Sequence, residues 1–323
     1  MTFKSTLDWA TAQKRSYILH KIRHFFHAKN IIEVETPSLS QGTITDQHLE
    51  AFTCQFDFLK IQNSFSQLYL QTSPEFAMKR LLSSGYGDIY QISKAFRNEQ
   101  AGRYHNPEFT ILEWYRLGFD HFQLMDEVGE LLQLVLNCGK PTKITYQQLF
   151  LNFTGIDPLD TSCSRLLMLL KTHNKLSHWL IKENNLDVLL QVILSEIIEP
   201  KIGNEKPCFI YNFPCSQASL AKLSRDDLRV AERFECYYKG IELVNGFNEL
   251  TDVETQLSRF KQDNMNRKQN GMMEKPIDTN FILALEAGLP KCAGVALGVD
   301  RLIMLACNKE KIEEVLTFPI SIS

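Results

Sequence analysis

The sequence predicts an α+β fold, an antiparallel sheet flanked by helices. Two runs rich in β-branched and aromatic residues, 89–96 and 109–116, flank the polar segment 97–108 and read as antiparallel strands joined by a long loop. Two more, 231–238 and 241–247, flank Lys239-Gly240, a two-residue hairpin turn. Between them lie segments whose apolar residues recur at helical spacing. The 323 residues are 44% hydrophobic and 23% charged, as in an ordinary globular protein able to bury a full core. Net charge is −3, with 35 basic and 38 acidic residues, so no basic nucleic-acid footprint shows in bulk composition. The N-terminus lacks the apolar core of a signal peptide, and the apolar stretch 186–198 is broken by Asp187, Gln191, Ser195 and Glu196; no export and no membrane span are expected. Eight cysteines without a C-x-x-C pair read as reduced thiols of a cytoplasmic protein.

The elements follow in order. Ile18, Ile22, Phe25 and Phe26 share a helical face between about 11 and 29, and 31–35 then alternates as a strand until Pro37 stops it. Residues 68–71 form a short strand. Ser73-Pro74-Glu75 supplies an N-cap, a proline at the first helical position and an acid in the first turn of a helix ending near Gly85. Residues 121–137 are helical, with Phe122, Met125, Val128, Leu132 and Val135 on one face. Residues 138–206 are mostly helical and read as an insertion in a single domain spanning 1–323. Helices at about 252–270 and 278–286, a strand at 295–297 and a helix from Val299 complete the chain.

Some residues point to chemistry. The hairpin sets Tyr238 opposite Ile241 and Tyr237 opposite Glu242, which puts Glu235 and Glu242 on one face as diagonal neighbours. Two such carboxylates repel unless a cation joins them, and magnesium is commonly held by one or two carboxylates plus substrate phosphates. For the hairpin alone, a solvated polar face is the plainer reading. A bulge at Asn245-Gly246 would bring Glu249 to the same side, where a third acid suits a cationic group. Arg97 and Glu99 end a strand, with His105, Asn106 and Phe109 beyond the loop; a guanidinium there suits a phosphate or carboxylate, and a surface ion pair explains Arg-x-Glu equally well. Gly298 lets a ligand approach the backbone. Arg301 starts a helix against the macrodipole preference, so it answers either to an anionic ligand or to Asp300.

In this order the segments resemble the three signatures of class II aminoacyl-tRNA synthetases. The first ends in Glu35-Thr36-Pro37, the second runs from Phe96-Arg97-Asn98-Glu99 through His105-Asn106-Pro107-Glu108-Phe109, and the third is Gly298-Val299-Asp300-Arg301. Ser73-Pro74-Glu75, Glu113-Trp114-Tyr115 and Asn245-Gly246-Phe247-Asn248-Glu249 narrow the likeness to the lysyl-tRNA synthetase branch. The run from Gly102 to Phe109 and Tyr238-Lys239-Gly240-Ile241-Glu242-Leu243 are similar to stand-alone paralogues of that branch that ligate (R)-β-lysine to elongation factor P. Only 36 residues precede Pro37, fewer than the ~50 of an independent domain, so no anticodon-binding barrel is expected. Ala296 stands where the synthetases have glycine beside the amino-acid pocket.

The resemblance implies ATP-dependent activation of a lysine-type amino acid with Mg²⁺, transfer to elongation factor P, and a homodimer built on the first signature. By the same resemblance Arg97 binds the α-phosphate and the substrate carboxylate, Arg301 the γ-phosphate, and Phe109 stacks on adenine. Asn98, Glu99, His105, Asn106, Glu242, Leu243 and Gly298 complete the ATP site, and Glu235 and Glu242 carry the metal. Glu75 takes the backbone-side amine, Glu249 and Tyr115 the distal ammonium, with Ser73, Pro74, Asn245 and Ala296 around the amino acid. Lys14, Arg15, Lys21, Arg23, Lys79, Arg80 and Arg103 are candidates for a basic patch facing the acceptor protein. The alternatives are a truncated lysyl-tRNA synthetase-like enzyme charging tRNA and a non-catalytic amino-acid-binding paralogue.

Overall fold

The computed structural model describes residues 3–56 and 67–323, and the chain divides into two compact units, Met1–Gly118 with Leu250–Ser323, and Phe119–Glu249. The first unit opens with α1 (Trp9–Ala28), β1 (Ile32–Glu33), β2 (Leu39–Ser40), β3 (Thr53–Gln55), β4 (Gln67–Leu70), α2 (Glu75–Ser83), β5 (Ile89–Phe96) and β6 (Glu108–Leu117). The second holds α3 (His121–Leu136), β7 (Thr142–Thr145), α4 (Tyr146–Thr154), α5 (Cys163–Thr172), α6 (Leu186–Ile193), β8 (Cys208–Pro214), β9 (Val230–Tyr238) and β10 (Ile241–Asn248). The chain then returns to the first with α7 (Val253–Gln269), α8 (Thr279–Gly288), β11 (Cys292–Gly298) and α9 (Val299–Ala306). No helix among the described residues is long and apolar enough to cross a membrane. All eight cysteines are free.

In the first unit the strands run β1-β5-β6-β11, with β1 parallel to β5 and the remaining neighbours antiparallel. Ile18, Ile22 and Phe26 bury the inner face of α1, and Phe26 stacks on Tyr90 (4.3 Å) and meets Trp114 edge-on (5.3 Å). The strand expected at 31–35 shrinks to two residues. Asn30 takes a positive φ of 58°, the Ile31 amide returns to the Phe26 carbonyl (3.1 Å), and Ile31 is buried while Ile32 is 62% exposed. The cap of α2 also shifts: Ser73 Oγ accepts the Glu75 amide (3.0 Å), and Pro74 occupies the cap position rather than the first helical one. The caps Asp252 of α7 and Asp278 of α8 each accept an amide three residues on.

In the second unit the order is β10-β9-β8-β7, with β7 parallel to β8. Lys239 and Gly240 both have positive φ (52° and 70°), the conformation of a type I′ hairpin turn. The 138–206 segment is not helical from its start, because β7 pairs with β8. Neither strand stands out in the sequence, since β8 (Cys-Phe-Ile-Tyr-Asn-Phe-Pro) is mostly apolar, without alternation, and ends in proline. The helices of this segment bury Tyr146, Phe150, Leu166, Leu170, Leu190 and Ile193 in one cluster. On α3, Phe122 is 41% exposed instead of facing the core, which Leu124, Met125, Val128, Leu131 and Leu132 fill.

One polar tie anchors α1, β6 and α9 of the first unit. Asp300, 1% exposed, accepts the Thr110 amide (2.6 Å) and pairs with Arg15 (2.7 Å), whose other nitrogen donates to Thr110 Oγ1 (3.1 Å). Arg15 is therefore not part of a basic docking patch, and neither is Lys79, which is 1% exposed. By contrast, the Arg23–Glu33 pair is on the surface. Arg15→Met should lower the unfolding free energy by about 3–5 kcal/mol by stranding a buried carboxylate, whereas Arg23→Met should change it by about 1 kcal/mol or less. Urea denaturation of both variants checks this, and equal effects would contradict it.

Candidate active site

Strand β6 places one acid among apolar neighbours. Glu113, 2% exposed, accepts from Ser73 Oγ (2.6 Å) and from the Tyr115 hydroxyl (2.6 Å). Burial first, and then the charge of Glu75, push the Glu113 carboxyl up to about 7, against the pull of those two hydrogen bonds and of Lys79. The register sets Ala296 opposite Glu113 and Gly294 opposite Tyr115, so Ala296 lies on the same face of the sheet as Glu113 and Tyr115. On α2, Glu75 pairs with Lys79 at 2.6 Å. Ser73, Glu75, Tyr115 and Ala296 thus gather as expected, and Glu113 and Lys79 join them. The sequence signal for Glu113 was a lone acid inside the apolar run Ile111-Leu112-Glu113-Trp114-Tyr115.

A second group lies along the loop between β5 and β6. The Arg97 guanidinium sits 5.0 Å from the Phe109 ring centroid, and the Arg97 amide donates to the Pro107 carbonyl (2.9 Å). Asn98 and Glu99 are exposed. Asn106 donates to the Glu108 carbonyl (2.6 Å) and accepts the Ile320 amide (3.0 Å), so its amide side chain is engaged by the loop and by the C-terminal segment. Arg301 Nε donates to the Tyr104 carbonyl (3.2 Å), and Nη2 lies 2.7 Å from His105 Nε2. Asp300 is taken by Arg15 and the Thr110 amide. Gly298 has an ordinary φ of −72°, and a Cβ there would meet Arg301 Cδ at 3.6 Å; neither the backbone nor the neighbouring protein requires glycine.

In the second unit Tyr237 pairs with Glu242 as the hairpin predicts, but the register shifts between Glu242 and Val244, not at Asn245-Gly246. The bulge falls earlier because Asn245 and Gly246 stay in the ladder, opposite Glu235 and Phe234. Its effect is the expected one: Glu235, Glu242, Asn245 and Glu249 share a side, since one extra residue restores the alternation. Leu243 sits in the bulge and is 3% exposed. Glu235, 6% exposed, accepts from Arg233 and from the Tyr237 hydroxyl (2.6 Å). Burial holds its carboxyl above the usual range; Arg233 and Tyr237 oppose this, and Glu242 adds to it. That mutual repulsion is what a cation held by both carboxylates would relieve, so the pair fits a magnesium ion completed by phosphate oxygens. Glu249 is 1% exposed, beside Ala221 in a single bridge.

The family model described as tRNA synthetases class II (D, K and N) matches residues 7–321. A curated protein of Vibrio cholerae serotype O1, named elongation factor P–(R)-beta-lysine ligase, is 54% identical over 314 residues, 97% of this chain and 96% of its own. Proteins of that name from Yersinia pestis and Yersinia pseudotuberculosis are each 52% identical over the same shares. The chain belongs to the class II tRNA synthetase family of the D, K and N type.

Proposed function

We propose that this protein activates (R)-β-lysine with ATP as an aminoacyl-adenylate and transfers it to a lysine side chain of elongation factor P, working as a cytoplasmic homodimer. The observation that carries the substrate class is the buried Glu113, held by Ser73 and Tyr115 beside Ala296, an acceptor set that suits an ammonium group. The identity of 52–54% to ligases of that name over 97% of the chain supports the acceptor. For the dimer, Trp9, Tyr17 and Ile32 on α1 and β1 are 77%, 61% and 62% exposed, as a self-association face requires.

The first step needs no general base, because the attacking carboxylate is already ionised at neutral pH. Its oxygen bonds to the α-phosphorus as the bond to pyrophosphate breaks. Arg97 neutralises the α-phosphate and the substrate carboxylate, and Phe109 beside it offers its ring to adenine. Arg301 holds the γ-phosphate. Glu235 and Glu242 would hold Mg²⁺, which when bound neutralises phosphate charge. Glu75 takes the backbone-side amine, while Glu113, Tyr115 and Glu249 take the distal ammonium. In the second step the acceptor ammonium, whose reference pKa is ~10.4, gives a proton to water, and the free amine attacks the acyl carbon; the amide forms as the bond to AMP breaks and the second nitrogen proton passes to the leaving phosphate or water.

Pyrophosphate exchange tests the reading directly. The protein should exchange faster with (R)-β-lysine than with α-lysine, and Ala296→Gly should move that preference toward α-lysine by about 10–200-fold, the effect of one methyl in a binding site. No amino-acid-dependent exchange would overturn the reading, and unchanged preference in the variant would remove Ala296 from it. The protonation of Glu113 gives a second test. A carboxyl raised from 4.5 to about 7 takes up a proton as pH falls through 7 and then accepts no ammonium. kcat/KM for the amino acid should therefore rise with pH through about 7, and Tyr115→Phe should move that rise to higher pH by removing a hydrogen bond that favours the carboxylate. The sign for stability is opposite: folding favours the protonated form, so this group costs stability as pH climbs from 4.5 to 7. A flat profile between pH 5.5 and 8 would contradict the role of Glu113.

A further inference from the structure

Helix α2 carries a lysine that neither the three signatures nor the chemistry above employs. Lys79 follows Glu75 by one turn, a spacing that on an exposed helix gives a pair worth only a few tenths of a kcal/mol. Here the pair is inside the protein. Lys79 is 1% exposed, its Nζ lies 2.6 Å from Glu75 Oε1, and 15% of the Glu75 side chain remains accessible. The Lys79 ammonium also stands 5.9 Å from the Phe281 ring centroid, and Phe281 stacks on Phe76 at 4.4 Å with planes 3° apart. An ammonium shielded this way by helix and aromatic rings has given up its water and is tolerated only when paired. Among the described residues, the carboxylates of Glu75 and Glu113 both feel its charge. The negative charge of Glu75 opposes ionisation of Glu113, and the positive charge of Lys79 favours it. A neutral residue at position 79 would leave these acids facing each other without compensation.

We propose that Lys79 is a positioning residue for amino-acid recognition: it grips one oxygen of Glu75, leaves the other for the substrate amine, and supplies the positive charge that lets Glu75 and Glu113 stand together before substrate arrives. The inference rests on the reading that Glu75 meets the backbone-side amine. Lys79 acts through Glu75, so its contribution depends on Glu75 being an acid. This dependence separates positioning from mere packing.

The test is a cycle of Glu75→Gln, Lys79→Met and the double variant, with KM for (R)-β-lysine and for ATP measured by pyrophosphate exchange. Lys79→Met should raise KM for the amino acid by about 30-fold, the loss expected when one member of a buried charge pair is removed, and change KM for ATP by less than about 2-fold. Added to Glu75→Gln, it should cost no more than about 3-fold further. Equal loss for both ligands, or penalties that multiply in the double variant, would overturn the proposal. If Lys79→Met does not fold, Lys79→Gln is read by the same criteria, and failure of both to fold makes Lys79 a folding residue and overturns it. An unmodified protein with no amino-acid-dependent exchange would overturn the functional reading and this inference together, whereas an active protein with a multiplicative cycle would overturn the inference alone.

Discussion

A carboxylate taken out of water must be met by hydrogen bonds or opposite charge, and much of this protein is arranged around that constraint. Asp300, Glu113, Glu249 and Glu235 are 1%, 2%, 1% and 6% exposed. Each lies on or beside a strand, and the compensating groups come either from distant parts of the chain or from alternate positions of the same strand. Arg15 reaches Asp300 from α1, and Ser73 reaches Glu113 from the turn before α2. Glu235 finds Arg233 and Tyr237 on its own strand, two residues away on either side, where strand alternation puts them on the same face.

The manner of compensation distinguishes structural acids from acids available to a ligand. Asp300 is met by a full guanidinium and a backbone amide, both permanent, and so fastens α9 to α1 and β6. Glu113 is met directly by two hydroxyls, the Lys79 charge that favours its ionisation is held by Glu75, and burial still pushes its carboxyl up to about 7. A substrate ammonium would complete what the hydroxyls leave undone. Neighbouring segments of one unit thus hold an acid satisfied by a direct guanidinium partner and an acid whose direct partners are neutral hydroxyls.

Much of this was legible in the sequence. The strand at 89–96 matched β5 residue for residue, because β-branched and aromatic residues were bounded by polar segments, and Lys239-Gly240 set the hairpin register because a two-residue turn with glycine at its second position matches the twist of the strands it joins. The ordered signatures gave the family, and the alternation argument correctly placed Glu235, Glu242 and Glu249 on one side. The position of the bulge was not legible, since Asn-Gly is equally content inside a ladder and the choice depends on how both strands pair. Strands β7 and β8 were missed for want of alternation. Pairings between residues far apart in sequence, such as Arg15 with Asp300, leave no local trace. Both Arg15 and Lys79 looked like surface charges until the fold put them inside. Glu113 was visible as part of a signature, but its burial and its two hydroxyl partners depend on the approach of Ser73, which only the fold supplies.

The destination of the activated amino acid decides between a ligase and a tRNA-charging enzyme. Labelled (R)-β-lysine, ATP and Mg²⁺ supplied to the purified protein with either elongation factor P or total tRNA would answer this in one experiment. The account predicts stable label on elongation factor P, lost when its acceptor lysine is replaced by arginine, and none on tRNA. Label on tRNA with none on the protein acceptor would contradict it.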